Sequence, residues 1–334
     1  MGVMRVLEVG LFTTVQDLGR PGFGPLGVSA SGAADAVSLR VGNRLVGNAG
    51  GAAGLEMTLL GGAFLFPEGA VVALSGSDFG ATLDGEPVEL WTSLEARAGQ
   101  TLRLGPTRSG ARCYLCVRGG IAVKTFLGSA STHVLSGLGG HEGRALRKGD
   151  VLEIGGWNER EVGAAIRQRK LSLRAMEMMK PRKVLRVTAG PQSDWFSEAA
   201  RRAFYGNAFR VAEDSNRMGI RLEGAGILLA PGGGTGGESG RSASSTVGGE
   251  MISEGVALGA VQVPESGLPI ILFVEQQTTG GYPKIANVIS ADFHSLGQLR
   301  PRDEIRFELV DMETARSFLR EQEEWLASSE LVTE

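Results

Sequence analysis

Two stretches of this chain carry more hydrogen-bonding side chains than a core requires. The first is Gln16-Asp17-Leu18-Gly19-Arg20, where an acid and a base stand three residues apart across a glycine turn. That spacing suits an internal ion pair or the capture of a small polar ligand. The second is Glu275-Gln-Gln277-Thr278-Thr279-Gly-Gly-Tyr282-Pro-Lys284, which directly follows the apolar run Ile270 to Val274. A buried strand that delivers an acid, amides, hydroxyls and a double glycine reads as a pocket wall. Gly280-Gly281 would let a ligand or a second backbone approach closely. The same residues also fit a hydrogen-bonded hairpin turn, and both readings stay open. Between these stretches lie Arg118-Gly119-Gly-Ile and Gly128-Ser-Ala-Ser131-Thr132. Arg118 can fork onto a carboxylate or phosphate with the nearby hydroxyls assisting, or it can pair with a structural acid.

Other chemistries fit less well. His133, His141 and His294 fall in separate segments without the close partner of a metal site, so no metal is expected. Ser131 and His133 would make a dyad with nothing nearby to orient it. Gly234 and Gly240 are separated by five residues, and Arg241 stands where a phosphate loop needs Lys, so the Gly232 to Ser242 stretch misses that motif. Cys113 and Cys116 form C-x-x-C within Arg112 to Arg118, which reads as a strand. Residues three apart on a strand face opposite ways, so this pair is expected to be structural rather than redox-active or zinc-binding.

The elements that must position these groups are mostly strands. With 334 residues the chain exceeds the size at which one core usually stops growing, so two domains are expected. Its 51 glycines imply many tight turns. The net charge of -3 lacks the basic excess of a nucleic-acid binder. No apolar run approaches the ~18 residues of a membrane helix. The first ten residues contain Arg5 and Glu8 but no apolar signal core, which points to a cytoplasmic protein. From Leu55 to Gly155 short strands alternate with turn signals, the spacing of a barrel or sandwich. Ala98-Gly-Gln, Lys148-Gly-Asp and Pro301-Arg-Asp each lead into an alternating strand, two copies in the first half and one in the second.

Few helices are expected. One starts near Ala33, capped by Ser31 with Asp35 in its first turn. It buries Val37, Val41 and Leu45 and ends near Gly47-Asn48. Another runs from Ser193 through Phe204, and an amphipathic one from Met312 to Leu326. Residues 159–183 are polar and basic and read as a linker. Residues 231–249 are rich in Gly and Ser and read as a loop that does not pack.

Several segments, in order, resemble one family: Thr14-Val-Gln-Asp-Leu-Gly-Arg-Pro-Gly22, Gly32-Ala-Ala-Asp35, Asn43-Arg-Leu-Val-Gly-Asn48, Arg118-Gly-Gly-Ile121, Arg217-Met-Gly219 and Gln277-Thr-Thr-Gly-Gly-Tyr-Pro283. It includes the C subunit of 5-oxoprolinase, KipA and proteins called allophanate hydrolase subunit 2 or biotin-dependent carboxyltransferase. The resemblance spans roughly residues 4–310. It implies a mainly β protein with a few helices, built as two cyclophilin-like β-barrel domains. These would occupy 1–158 and 184–310, joined by the linker 159–183 and followed by a helix and tail at 311–334.

The resemblance also implies a function. The chain would belong to a complex that uses ATP to open the lactam 5-oxoproline to glutamate. Its partners would be the KipI-like B subunit and the A subunit of 5-oxoprolinase. An unstrained amide is a poor electrophile, so phosphorylation of the lactam oxygen would give ATP a physical role. On this reading Asp17 and Glu275 are the catalytic acids, placing the ring nitrogen or a water. Arg20 or Arg118 holds the substrate carboxylate or a phosphate. Gln16, Gly119, Ser131, Thr132, Arg217, Gln277, Thr278, Thr279, Tyr282 and Lys284 complete the substrate pocket. The chain carries no biotin-attachment or ATP-grasp segment. One alternative is carboxyl transfer to urea or a similar amide, with carboxybiotin supplied separately. Another is a KipA-type regulator that binds a KipI-like partner. Four positions depart from the family pattern. Ala130 replaces Arg, Asn216 replaces an acid, Glu275 replaces Asp, and Arg302 replaces a turn glycine.

Overall fold

The computed structural model describes residues 2–156, 168–229 and 251–334. The loop expected at 231–249, and with it the Gly232 to Ser242 stretch, lies outside the described residues.

The first half folds as two antiparallel sheets, of seven and five strands, around one core. Alternation decides which side chains enter it. Met4, Val6, Phe64, Phe66 and Leu102 come from the larger sheet and meet Val15, Leu55, Leu74, Leu115 and Val117 from the smaller. The outer face of the five-stranded sheet is covered by α1, Ala36–Leu45. Its buried Val37, Val41 and Leu45 pack on Tyr114 and Cys116. Strand Arg112–Val117 is therefore buried on both sides, with Cys113 in one core and Cys116 in the other. Two thiols on opposite faces cannot share a metal or a disulfide, as their spacing on a strand predicted.

The cap of α1 differs from expectation. Asp35, not Ser31, is the N-cap, its carboxylate accepting from the Ser38 amide. Ser31 instead adopts a left-handed φ of 55° and donates through its hydroxyl to the Thr132 carbonyl, 3.0 Å away.

The second half closes into a seven-stranded barrel. Closure comes from a parallel pairing of Val184–Ala189 with Glu304–Leu309, which joins the first strand of this half to its last. Leu185, Val187, Phe209, Ile220, Val261, Ile271, Ile285 and Phe307 fill it. The helix expected from Ser193 is broken: Ser193–Trp195 is a single 3₁₀ turn, and α3, Glu198–Gly206, starts afresh with Ser197 as its cap. In the third turn-and-strand copy, Arg302 takes the left-handed φ of 71° that Gly99 and Gly149 take in the other two, at 84° and 94°.

Of the segment expected to be a linker, the described part is ordered by the C-terminus. Lys170–Leu171 pairs with Val332–Thr333, and Leu173–Met178 forms α2. A short helix, α4, spans Phe293–Gly297, and α5 spans Met312–Ala327. Leu326 and Leu331 pack with Leu171 and Ala175. Arg44 donates to the carbonyls of Leu326 and Ser328, at 2.5 and 2.6 Å, and so caps the end of α5 from the first half. Among the described residues no helix is long and apolar enough to cross a membrane.

Candidate active site

Strand Phe12–Gln16 delivers Asp17 to a point where both of its carboxylate oxygens are engaged. Oδ1 accepts from the Gly19 amide at 2.8 Å, a tight turn typical of Asp. It also accepts from the hydroxyls of Ser129 and Ser131, at 2.6 and 2.5 Å. Oδ2 accepts from the Ala130 amide at 2.7 Å. The stretches 16–20 and 129–132 thus form one network, in which Asp17 holds the second loop in place. Gln16 joins it through Nε2, donating to Thr14 Oγ1 at 3.0 Å and the Thr132 carbonyl at 3.1 Å, while its buried Oε1 has no partner. Thr132 returns a bond from its hydroxyl to the Val15 carbonyl at 2.8 Å.

Arg20 is the centre of this arrangement and is 2% exposed. Its guanidinium donates to the Ser131 and Phe126 carbonyls and lies over the Phe126 ring, 5.6 Å from its centroid. Among the described residues Nη1 has no hydrogen-bond partner. Burial lowers the Arg20 pKa, against the opposing pull of the Asp17 and Glu275 carboxylates.

The second half reaches the same place. The Ser31 amide donates to the Val274 carbonyl at 2.9 Å, and the Ser29 hydroxyl donates to the Gln276 carbonyl at 2.8 Å. Between these contacts is a cavity of about 250 Å³, lined by Arg20, Ser29, Ser31, Gln276 and Thr278 and by apolar Val28, Leu258, Phe273 and Val274. Gln276 anchors its Nε2 on the Val256 carbonyl at 3.1 Å and leaves Oε1 buried and unpaired. Two residues that line the cavity, Arg20 and Gln276, thus carry a buried donor and a buried acceptor with no partner among the described residues. A small molecule bearing an anionic group and an amide N–H would satisfy both.

A denser network underlies the joint. Arg217 donates through Nε to Glu275 at 2.6 Å, through Nη1 to Glu56, and through Nη2 to the Gly32 carbonyl at 2.7 Å. Glu56 Oε2 accepts from the Ala34 amide and the Tyr114 hydroxyl, both at 2.7 Å. Burial, with Glu56 and Asp35 close by, raises the Tyr114 pKa and keeps it a neutral donor. Gln298 ties Asp35 at 2.8 Å and the Arg112 carbonyl at 3.1 Å to the second half.

Not every predicted residue comes to the cavity. Arg118 donates to the Val46 carbonyl at 3.0 Å, and the Gly119 amide donates to Asn48 at 2.8 Å, so both secure the end of α1. A Cβ on Gly119 would meet the Gly155 carbonyl at 1.6 Å, which accounts for the glycine there. Lys284 is 3% exposed and pairs with Glu254 at 2.6 Å, while Thr279 stands in a two-stranded antiparallel sheet opposite Gly255. Gln277 and Tyr282 line a different cleft, on the second barrel. Sequence reasoning passed over Gln276, Glu56, Arg112 and Gln298. For Glu56 a signal was present: a lone acid in the otherwise apolar strand Gly54–Thr58 must be paired if that strand is buried.

The first half and the closed barrel of the second thus line one small cavity of mixed polar and apolar walls. The sequence profile of the carboxyltransferase domain, subdomain A and B, matches residues 26–309. The chain is 36% identical over 323 residues to the C subunit of 5-oxoprolinase from Escherichia coli (strain K12), covering 97% of this chain and 96% of that protein. It is 34% identical over 319 residues to urea amidolyase of Saccharomyces cerevisiae, covering 94% of this chain but 17% of that protein. The crystal structure of the K. lactis urea amidolyase superposes with a TM-score of 0.84 at 32% identity, over 97% of this chain and 20% of that one. The chain belongs to the carboxyltransferase domain A and B family.

Proposed function

We propose that this chain is the C subunit of an ATP-dependent 5-oxoprolinase and acts with the KipI-like B subunit and the A subunit. The reading is supported by the match to the 5-oxoprolinase C subunit across nearly the whole of both proteins. The observation that carries it is the pair of unpaired atoms, Arg20 Nη1 and Gln276 Oε1, on residues lining one cavity of about 250 Å³. 5-Oxoproline offers a carboxylate to Arg20 and a lactam N–H to Gln276, with Thr278 beside them. In the reaction water adds at the lactam carbonyl carbon, the ring C–N bond breaks, and the nitrogen leaves with a proton as the amine of glutamate. Asp17 has both oxygens on the 129–131 loop and the Gly19 amide, so its part is to position Arg20.

ATP supplies activation of the amide when bound. Among the described residues the helix N-termini do not fit its phosphates: α1, α3 and α5 are capped by Asp35, Ser197 and Asp311. The test is to purify the chain with its B and A partners and follow glutamate release from 5-oxoproline with ATP. An active complex indifferent to Arg20→Met would overturn the site.

The family and the urea amidolyase relatives favour a second reading, carboxyl transfer to urea or a similar amide. Turnover that requires a biotin carboxylase and carboxybiotin, with no release of glutamate, would establish it instead.

A further inference from the structure

Gln277 and Tyr282 take no part in the Arg20 cavity. They line a cleft of about 520 Å³ beside the second barrel. Its most telling residue is Gln262. Strand alternation sends Val261 and Val263 into the barrel core and turns Gln262 outward, beneath the antiparallel pair Glu254–Gly255 and Thr279–Gly280. Gln262 is 2% exposed, lines the cleft, and has no partner for Nε2 among the described residues. Buried side-chain amides are normally satisfied, so this one points to a missing ligand.

The surroundings narrow the ligand class. A Cβ on Gly280 would lie 2.4 Å from Gln262 Nε2 and 3.0 Å from Gln277 Nε2, so the glycine lets two side-chain amides converge. Among the described residues that line the cleft, Arg221 is the one cation, and its Nε pairs with Asp214 at 3.1 Å. The lining therefore offers an anion no uncommitted charge. Leu268, Pro264 and Pro269 give part of the wall an apolar face, and Asp214, Asn216, Glu223 and Ser266 line the rest.

We propose that this cleft binds an uncharged amide carried on a small apolar body, with the amide held by Gln262 and Gln277 and the body against Leu268 and the prolines. An amide presents both a carbonyl and an N–H, so it complements a glutamine side chain either way round. The inference is independent of the oxoprolinase reading, because it involves a different cavity.

The test is ligand-observed NMR titration of the full chain with N-acetyl-L-leucinamide, and in parallel with the carboxylate N-acetyl-L-leucine. The neutral amide should bind saturably and the carboxylate roughly ten-fold more weakly. Gln262→Leu should weaken the amide by roughly ten-fold or more. Leu268→Trp, a change at a residue 36% exposed, should block it from the rim and serves if Gln262→Leu does not fold. Arg20→Met should leave it unchanged. No saturable binding to the native chain, equal binding of the carboxylate, persistence in Leu268→Trp, or loss in Arg20→Met would each overturn the proposal.

Discussion

Arg217 bridges two acids that are far apart in sequence: its guanidinium holds Glu56 of the first half and Glu275 of the second, and all three side chains are 7% exposed or less. Burial alone would lower the Arg217 pKa, but the two carboxylates outweigh it and the pKa rises. Arg217→Met would leave both acids buried without their counter-charge. It should cost about 3–5 kcal/mol in chemical denaturation. A loss no larger than that of a surface substitution would show that the joint does not depend on this bridge.

Arg20 and Arg118 should separate in the assembled complex. Arg20→Met removes the donor at the cavity and should reduce glutamate release by at least about ten-fold. Arg118→Ala removes a bond to Val46 at the end of α1 and should lower the melting temperature while leaving kcat/KM nearly unchanged. The reverse pattern would move the site to Arg118.

Asp17→Asn tests the staple between the two loops. Asn keeps one carbonyl oxygen, which can still accept from Gly19 and the two serines in place of Oδ1, but its NH2 group cannot accept the bond that Oδ2 receives from the Ala130 amide. The expected loss is about 1–3 kcal/mol, read from thermal or denaturant unfolding. An unchanged midpoint would mean that the 129–131 loop is held by other contacts.

Glu323 on α5 accepts both terminal nitrogens of Arg40 on α1, at 2.6 and 2.7 Å. The hydrogen bond from Arg40 holds its carboxyl below the usual range. A folded-state pKa lowered in this way gives stability that is present above the unfolded value and is lost as pH falls through the folded one. Since Glu323 is half-exposed, the difference between the native chain and Glu323→Gln should stay under about 1 kcal/mol near neutrality. It should shrink toward zero below about pH 4. A difference that persists in acid would exclude the ion pair as its source.

Burial raises the pKa of both cysteine thiols. The native chain should therefore react negligibly with an aromatic disulfide reagent at neutral pH, and both thiols should titrate on unfolding in guanidinium. Rapid reaction of one thiol in the native chain would contradict the packing of strand Arg112–Val117.

Local residue order carried much of this architecture. The turn-and-strand copies at Ala98, Lys148 and Pro301 lead into the strands Gln100–Arg103, Val151–Ile154 and Glu304–Leu309, and the spacing of Val37, Val41 and Leu45 located α1. The helix Met312–Ala327 was legible from its apolar residues, and C-x-x-C on a strand sufficed to separate the thiols. These features depend on backbone period and on neighbours within one or two turns, which a sequence states directly.

Tertiary structure alone decided which polar residues meet. Arg20 and Gln276 line one cavity although more than half the chain separates them, while Gln277, the next residue in the loop between strands Ile270–Leu272 and Thr279–Gly280, lines a different cleft. Arg118, read from sequence as an anion clamp or the partner of a structural acid, donates to the Val46 carbonyl in the turn after α1. A side chain's own type fixes what it can donate or accept. Which distant partner it finds depends on how the two halves close on each other, and that is not written in its neighbours.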